Sequence, residues 1–477
     1  MEAAAQRPEP DRQGLCHAGR LDAGPLPRRA AHNRADAESE LLTAAPPDRW
    51  PAPLQAWGTV AVLNLAYLVS FVDRTILSLL IEPIKADLQI SDTQIALLQG
   101  AAFGLFYTLL GVPFGWAVDR FSRKWIIGLG CTLWCLMTAA CGLAGSFAQL
   151  FAARLGVGVG EAALSPGAAS LIADLFPPER RALAMSVYAM GASFGVGLSL
   201  LAGGLVIGLI GRAGPLVLPL IGPTAPWQAV LLLVGLGGLV VALAILLLPE
   251  PARREAAATR LATRGELFAF LWRERVQLGN QFAGIALFGL VSYAILSWVP
   301  ALFTRLHGWS AADVGLRYGL LFIVFGSSGA VAGGRLAAHF AKRGVANYNL
   351  RVAAIGVTAL IPFGIVAPLA TNAWVVLALL GPVAFCFALP TGASIAAIQH
   401  VTPNQLRGQV AALYYLSIGL IGLLLGPLSV ALLTDTLFGD PKALGYSLSI
   451  VCGVVQPIAA MLVCRAARAN TGKRGEA

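Results

Sequence analysis

The stretch Gly115-Trp-Ala-Val-Asp-Arg-Phe-Ser-Arg-Lys124 concentrates charge between two long apolar segments. The flanking segments, residues 95–118 and 125–144, are each long enough to cross about 30 Å of hydrocarbon at about 1.5 Å of rise per helical residue. The charged stretch is therefore predicted to be a short loop at a membrane surface. Its basic residues outnumber its one acid, Asp119, which places this surface in the cytoplasm by the positive-inside rule.

Composition supports a membrane protein. The chain has 477 residues, of which 57% are hydrophobic and only 12% charged, and its mean hydropathy is +0.73. Soluble domains carry about twice that share of charge. The net charge of +10 resides in the tails and short loops, where topology and anionic lipid account for it, so no nucleic-acid partner is expected. The cysteines lie without clustered carboxylates or histidines, and no metal site is expected.

Twelve apolar segments predict an all-α polytopic membrane protein, because a lipid-exposed strand would leave backbone groups unpaired. We expect a disordered cytoplasmic tail over residues 1–56, a six-helix bundle over 57–248, a cytoplasmic linker over 249–275, a second six-helix bundle over 276–466 and a short tail over 467–477. The predicted spans are 57–81, 95–118, 125–144, 147–175, 181–211, 227–248, 277–304, 312–340, 350–370, 372–399, 407–434 and 444–465.

Loop charges agree with this topology. Most arginines and lysines outside the tails fall in loops assigned to the cytoplasm, whereas the outward loops hold little beyond Lys85, Arg212, Arg305 and Lys442. Both termini are therefore predicted to be cytoplasmic. We expect a monomer in the bacterial inner membrane.

The two halves repeat one another. Ser91-Asp-Thr-Gln94, a capping box that opens the second span, returns as Ser310-Ala-Ala-Asp313 before the eighth, and a glycine follows in each case. The same offset aligns Gly115 with Gly334. The repeat predicts one six-helix unit that has been duplicated.

The charged loop resembles a family signature. Its glycine, aspartate and basic residues match the Gly-x-x-x-Asp-Arg-x-x-Arg-Lys motif of major facilitator superfamily transporters, which implies a carrier with two six-helix bundles and alternating access. In that family the loop is part of the inner gate. The matching positions are Gly115, Asp119, Arg120, Arg123 and Lys124. The second copy has Ala338 and His339 in place of the Asp-Arg pair, so the stronger inner lock is predicted in the first half.

Four charges lie within predicted spans: Asp73 and Arg74 in the first, and Arg154 and Glu161 in the fourth. Each costs about 2.5–3.5 kcal/mol at the centre of a span. Arg154 and Glu161 are about two helical turns apart and share a face. The sequence therefore predicts a cluster between the first and fourth spans in which the arginines neutralise the carboxylates.

The segments around these charges resemble the spinster branch of the superfamily. The similar stretches are Phe71-Val-Asp-Arg-Thr-Ile-Leu-Ser78 and the segment from Arg154 to Glu161. The resemblance implies proton coupling at Asp73 and Glu161, with the proton gradient as energy source and no cofactor. That branch carries lysolipids and sphingoid phosphates in animals.

Deep charge is confined to the first half, whereas the second half offers hydroxyl and aromatic side chains on an aliphatic background. This asymmetry favours an amphiphilic anion whose head contacts Arg74 and Arg154 and whose tail follows the second half. The candidate cavity-lining residues are Asn64, Tyr67, Ser193, Tyr293, Ser297, Trp298, Ser394 and Tyr414.

Other functions stay open at this stage. The same arginines would serve a proton symporter for sugar acids, and a multidrug efflux carrier would share the fold. A lipid scramblase or membrane enzyme is disfavoured. Gly191-Ala-Ser-Phe-Gly195 matches a hydrolase nucleophile elbow by letters alone, since it lies inside a span without the strand-turn-helix context. Ser193 is therefore interpreted as a packing or cavity hydroxyl, and no enzymatic activity is expected.

Overall fold

A computed structural model describes residues 50–213, 217–218, 222–254 and 263–469. Residues 1–49 of the tail predicted over 1–56 lie outside this part, as do the residues from 470 onward, and span 1 begins at Pro53, inside the predicted tail. Within the described residues, twelve helical segments are long and apolar enough to cross a membrane. The all-α architecture and the number of spans predicted from the sequence are confirmed.

Four of the spans are built from two α-helices, and the others from one. The α-helices are Pro53–Leu79 (span 1); Asp92–Gln99 and Ala101–Arg120 (span 2); Arg123–Cys141 (span 3); Phe147–Glu161 and Leu164–Leu175 (span 4); Pro178–Ala213 (span 5); Pro226–Leu247 (span 6); Arg275–His307 (span 7); Ala311–Leu321 and Ser327–Lys342 (span 8); Tyr348–Val366 (span 9); Ala373–Val401 (span 10); Arg407–Ser417 and Leu424–Leu432 (span 11); and Leu444–Arg468 (span 12).

Shorter elements complete the chain. Two further α-helices, Ile81–Leu88 and Arg264–Arg273, lie between spans. The π-helical turns are Phe322–Gly326, Ile418–Leu423 and Leu433–Phe438; the 3₁₀ turns are Ala367–Leu369, Asn404–Leu406 and Pro441–Ala443. Strands Val217–Leu218 and Gly222–Pro223 pair antiparallel, with Val217 opposite Pro223.

Local sequence explains where several spans begin and break. The Ser91 side chain accepts from the Gln94 backbone N–H while the Gln94 side chain accepts from the Ser91 backbone, which confirms the predicted capping box. Ser310 caps span 8 by accepting a hydrogen bond from the Asp313 backbone N–H. Span 4 breaks after Glu161 because Pro166 has no N–H to donate to the turn before it.

Glycines allow the spans of the first half to approach closely. A Cβ on Gly160 of span 4 would lie 2.6 Å from the Gly130 carbonyl of span 3. Gly160 therefore serves close helix packing and brings Glu161 towards the interior of the first half.

Glycine contacts also join the first half to the second. Added Cβ atoms would lie 2.8 Å from the Leu423 carbonyl at Gly100, and 2.7 Å from the Gly197 carbonyl at Gly319. Gly100 and Gly319 are the glycines that follow the two repeated caps. Spans 2 and 8 thus cross spans 11 and 5 at equivalent positions, near the predicted outward end.

Candidate functional site

A buried ion pair joins span 1 to span 4. Glu161 is 1% exposed, and its Oε2 accepts hydrogen bonds from Arg74 Nε at 2.8 Å and from Ser70 Oγ at 3.0 Å. Arg74 Nη2 lies 2.6 Å from the same oxygen. Several hydrogen-bond donors that converge on one carboxyl oxygen stabilise the ionised form of a carboxylate.

Asp73 is equally buried but has a different environment. Among the described residues, neither of its carboxyl oxygens has a hydrogen-bond partner. Arg154 Nη1 donates to the backbone carbonyl of Asp73 at 3.2 Å. Of the predicted neutralising contacts, the structure therefore forms Arg74 with Glu161, whereas Arg154 meets the backbone of span 1 rather than a carboxylate. Adjacent residues point about 100° apart on a helix, so Asp73 and Arg74 face different neighbours.

Aromatic rings surround the Arg74 guanidinium. Its central carbon lies 4.3 Å from the ring centre of Tyr107, 4.8 Å from that of Phe103 and 5.6 Å from that of Phe71. The side chain keeps 17% of its surface exposed. Cation–π contacts stabilise a guanidinium away from bulk water and leave its remaining edge for an anion.

Several predicted cavity residues lie around this cluster. Tyr67 stacks on Tyr188 with ring centres 5.2 Å apart, and Asn64 Nδ2 lies 3.5 Å from the Val187 carbonyl. Tyr293 of the second half packs against the same first-half cluster. Sequence reasoning missed Tyr107 and Tyr188, because an aromatic residue within a span has no sequence signal that separates a cavity position from a core position.

Other predicted cavity residues lie in the core of the second half. Trp298 is fully buried and donates from Nε1 to the Pro427 carbonyl at 2.9 Å. Ser394 is buried, and its carbonyl accepts from Gln281 Nε2 at 2.7 Å. Tyr414 is also buried.

Ser297 and Ser193 are the remaining two candidate cavity residues. Ser297 is half-buried. The side chain of Ser193 lies outside the described part of the chain. Of the candidate cavity residues, Tyr67 and Tyr293 interact with Arg74, and Tyr293 comes from the second half.

The predicted inner gate holds a second ion network. Arg123 is 1% exposed and forms ion pairs with Asp174 at the end of span 4 and with Glu250 after span 6, the latter at 2.8 Å. Glu250 also accepts from the Ser122 hydroxyl at 2.8 Å and from the Lys124 backbone N–H at 2.9 Å. The network ties the loop between spans 2 and 3 to the beginning of the linker.

The other signature residues of this loop are less constrained. Asp119 and Arg120 are exposed, and the Asp119 backbone carbonyl accepts from Arg253 Nη1 at 2.6 Å. No atom of the described residues lies within 4 Å of a Cβ added to Gly115. In this structure the signature glycine therefore has open space beside it.

A third network, which the sequence analysis missed, joins the two halves at the predicted outward end. Arg305 of span 7 contacts both carboxyl oxygens of Asp92 at 2.6 and 2.7 Å, and Glu82 at 2.6 Å. Lys85 also pairs with Asp92. From the sequence, Arg305 can be assigned only to an outward loop. An arginine in the last turn of a helix already interacts favourably with the helix dipole, so its presence there does not indicate an ion network.

A second contact crosses the halves nearby. The Thr93 backbone N–H and hydroxyl both donate to Asp435 Oδ2 at 2.7 Å. Span 2 of the first half is thereby bound to span 11 of the second. Together with Arg305, this contact closes the predicted outward end.

Twelve spans, a buried charge cluster between spans 1 and 4, and ion networks at both ends define a membrane transporter rather than an enzyme. The family model of the Major Facilitator Superfamily matches residues 63–427. The chain belongs to that superfamily.

Similar proteins include carriers with different cargoes. An efflux pump of this superfamily from Mycolicibacterium smegmatis is 29% identical over 416 residues, covering 86% of this chain and 92% of the relative. A probable L-galactonate transporter from Escherichia coli is 25% identical and covers 84% and 88%. The spinster protein of Drosophila melanogaster is 26% identical, but the match covers 60% of this chain and 46% of that protein.

A solved structure agrees with the spinster resemblance. A bacterial homologue of the human lysosomal transporter spinster, in an inward-facing and unoccupied conformation, has a TM-score of 0.73 and 25% identity. The match covers 87% of this chain and 96% of that one. The predicted superfamily and the likeness to its spinster branch are confirmed.

Proposed function

We propose that this protein is a proton-coupled secondary carrier in which Asp73 and Glu161 bind the transported proton. The observation that carries the proposal is the contrast between the two carboxyls. Glu161 is hydrogen-bonded to Arg74, whereas Asp73 is buried with both carboxyl oxygens unpartnered among the described residues. An unpartnered carboxylate in an apolar interior is strongly disfavoured relative to the neutral acid, so Asp73 holds the proton in this conformation.

Coupling follows from the cost of changing either charge. Loss of the Asp73 proton would leave an anion beside the Glu161 carboxylate, and protonation of Glu161 would free Arg74. Both events favour a rearrangement of spans 1 and 4, so the proton occupancy and the conformational equilibrium are linked. No cofactor besides the proton gradient is needed.

For the substrate we propose an amphiphilic anion of the lysolipid or sphingoid class. Arg74 is the partly exposed cation of the cluster, whereas Arg154 is buried against span 1. An anionic head would contact Arg74 between its aromatic neighbours, and an acyl tail would follow the apolar second half from Tyr293 onward. Each buried methylene adds about 0.8 kcal/mol. The likeness to spinster proteins supports this class.

A sugar-acid/proton symporter is the second candidate. The probable L-galactonate transporter that resembles this chain over most of both lengths favours it. A small polyhydroxy acid needs hydrogen-bond donors from both halves, which the buried Ser394 and Tyr414 do not offer in this conformation. The efflux pump among the relatives makes outward transport the direction to test alongside uptake.

We also propose that both termini are cytoplasmic and that the protein acts as a monomer in a bacterial inner membrane. The basic loop around Arg123 supports this orientation. Membrane-impermeant thiol labelling of Gln89→Cys from the periplasm tests it. If that position were labelled only in inverted vesicles, the topology would be the reverse of the proposed one.

The coupling proposal is tested in proteoliposomes with an imposed pH gradient. Asp73→Asn should abolish gradient-driven accumulation and its pH dependence while substrate exchange at equal pH continues. Asp440→Asn, which alters an exposed carboxylate at the end of the bundle, is the matched control and should accumulate substrate normally. Accumulation by Asp73→Asn with the wild-type pH profile would refute proton coupling at this residue.

The substrate proposal is tested with a series of anionic lysolipids that differ only in chain length. Affinity should rise as the acyl chain lengthens, and Arg74→Ala should lower it for every member. Affinity that does not change along the series, together with efficient transport of short sugar acids, would assign the protein to the second candidate.

A further inference from the structure

A short helix in the linker has a surface that the transport function does not use. One residue, Glu274, separates the end of helix Arg264–Arg273 from Arg275, where span 7 begins. Because the opposite end of span 7 carries Arg305 at the predicted outward end, the helix lies at the predicted cytoplasmic surface. The charged composition of this region predicts a linker, and within it Thr263 and Glu266 form a capping box that marks the start of the helix.

The helix has three distinct sectors at about 100° per residue. Leu267, Phe270 and Leu271 pack against the protein core. The adjacent sector carries Phe268 and Trp272, which are 66% and 62% exposed. The remaining sector carries two small and two charged residues, Gly265, Ala269, Glu266 and Arg273. This division suits a helix that contacts protein on one side, water on a second side and an apolar medium on the third.

The exposed aromatic sector is ordered rather than scattered. Phe268 and Trp272 stack with ring centres 6.2 Å apart. The Arg275 guanidinium lies 4.9 Å from the Trp272 ring centre and donates from Nη1 to the Trp272 carbonyl at 2.9 Å. A cation is therefore held at the edge of an apolar surface, where it is placed to meet a phosphate.

The same pairing of tryptophan and cation occurs elsewhere at this end of the molecule. Arg120 lies 4.2 Å from the ring centre of the exposed Trp116, and Lys124 lies 6.0 Å from that of the exposed Trp125. Tryptophan beside basic residues is typical of the level at which a bilayer changes from acyl chains to headgroups. The linker helix carries the same pairing, through Trp272 and Arg275.

We propose that helix Arg264–Arg273 is a lipid-binding element of the cytoplasmic leaflet. Phe268 and Trp272 insert towards the acyl chains, and Arg275 binds the phosphate of an anionic phospholipid. The linker between the halves is then fixed to the membrane surface on the side of span 7. A bilayer with anionic headgroups is the occupant that both the apolar sector and the cation fit.

Spin labels at adjacent positions test the insertion. Phe268→Cys and Ala269→Cys, both exposed but on different sectors, are labelled in the full-length protein in nanodiscs, with Cys16 and Cys464 replaced. The label at 268 should be accessible to oxygen and protected from a water-soluble nickel complex, and the label at 269 should show the reverse. Nickel accessibility at both positions, or protection of 268 from both reagents by a covering protein surface, would overturn the proposal.

Lipid charge provides an independent test. Binding of phosphatidylglycerol to the purified protein should weaken about fivefold in Arg275→Gln, as expected for the loss of one cation near an anionic surface. Arg212→Gln, which alters an exposed arginine at the opposite end of the bundle, is the control and should bind as the wild type does. If Arg275→Gln and the wild type bound phosphatidylglycerol equally, Arg275 would not be a ligand of the lipid phosphate, and that part of the proposal would be wrong.

Discussion

The ion networks centred on Arg305 and Arg123 use the same chemistry in different places. Arg305 bonds Asp92 and Glu82, so its network joins the second half of the protein to the first. Arg123 bonds Asp174 and Glu250, both of which lie before the second half begins. Only the first network must break when the predicted outward end opens.

The Arg305 network acts as a gate between two conformations, whereas the Arg123 network acts as a brace, a contact that stabilises one half in both conformations. A contact between halves contributes to one conformation and is lost in the other, so it sets their relative populations. A contact within one half is retained if that half moves as a rigid body, and it contributes to stability in both states. Charge and burial alone do not distinguish these roles, because both arginines are buried.

The largest effect is expected for Arg123→Gln. The substitution leaves Asp174 buried without its cation, a change that costs about 3–5 kcal/mol in other buried pairs. The melting temperature should fall strongly, with no change in the spacing between the halves at the predicted outward end. Arg120→Gln, in the same loop but exposed, is the matched control and should cost less than about 1 kcal/mol. Equal melting temperatures for the two variants would contradict the bracing role.

Arg305→Gln is expected to move the conformational equilibrium. Removing the bidentate partner of Asp92 should favour opening of the predicted outward end by about 1–3 kcal/mol. Spin labels at Gln89 and Lys442, one on each half, should report a longer distance component. Arg317→Gln should not, because Arg317 pairs with Asp313 of its own span at 3.3 Å. An unchanged distance distribution in Arg305→Gln would mean that other contacts hold this end closed.

Two glycines of span 8 sharpen the comparison without altering charge. In Gly319→Ala the new methyl would lie 2.7 Å from the Gly197 carbonyl, so the crossing of spans 5 and 8 must loosen at a cost of about 1–3 kcal/mol. A Cβ added to Gly334 would have no neighbour within 4 Å in the part of the chain that the structure describes, and Gly334→Ala should stabilise the helix by up to about 1 kcal/mol. The same label pair and melting curves measure both. If the two variants gave the same label distances and melting temperatures, the crossing of spans 5 and 8 would not contribute to the gate.

The smallest effect concerns pH at the predicted cytoplasmic end. Partial burial raises the pKa of Glu250, but hydrogen bonds from the Lys124 N–H, Arg123 and Ser122 outweigh it and hold the pKa below its ordinary value. This contribution to stability is therefore present above the unfolded-state pKa of about 4.3 and is lost as the pH falls through the lower folded-state value. Wild-type melting temperature should drop over that acidic window more than that of Glu250→Gln. Parallel pH profiles would show that Glu250 does not contribute.

The amino-acid sequence by itself determined the twelve spans, the duplicated six-helix unit and the deep charges of spans 1 and 4. These features depend on segment length, loop charge and local caps, each of which is a property of neighbouring residues. Ser91 and Ser310 cap their helices wherever the rest of the chain lies. The spacing of Arg154 and Glu161 likewise places both on one face of any α-helix.

Only the tertiary structure decided which distant groups meet. Within the described part of the chain, it paired Glu161 with Arg74 and left both Asp73 carboxyl oxygens without a hydrogen-bond partner, and it buried Trp298 in the core of the second half. It also brought Arg305 to Asp92 across the two halves. These contacts depend on how each helix is rotated about its axis and on how one half sits against the other. Lipid solvates all apolar faces of a helix almost equally, so hydrophobicity alone does not fix that rotation.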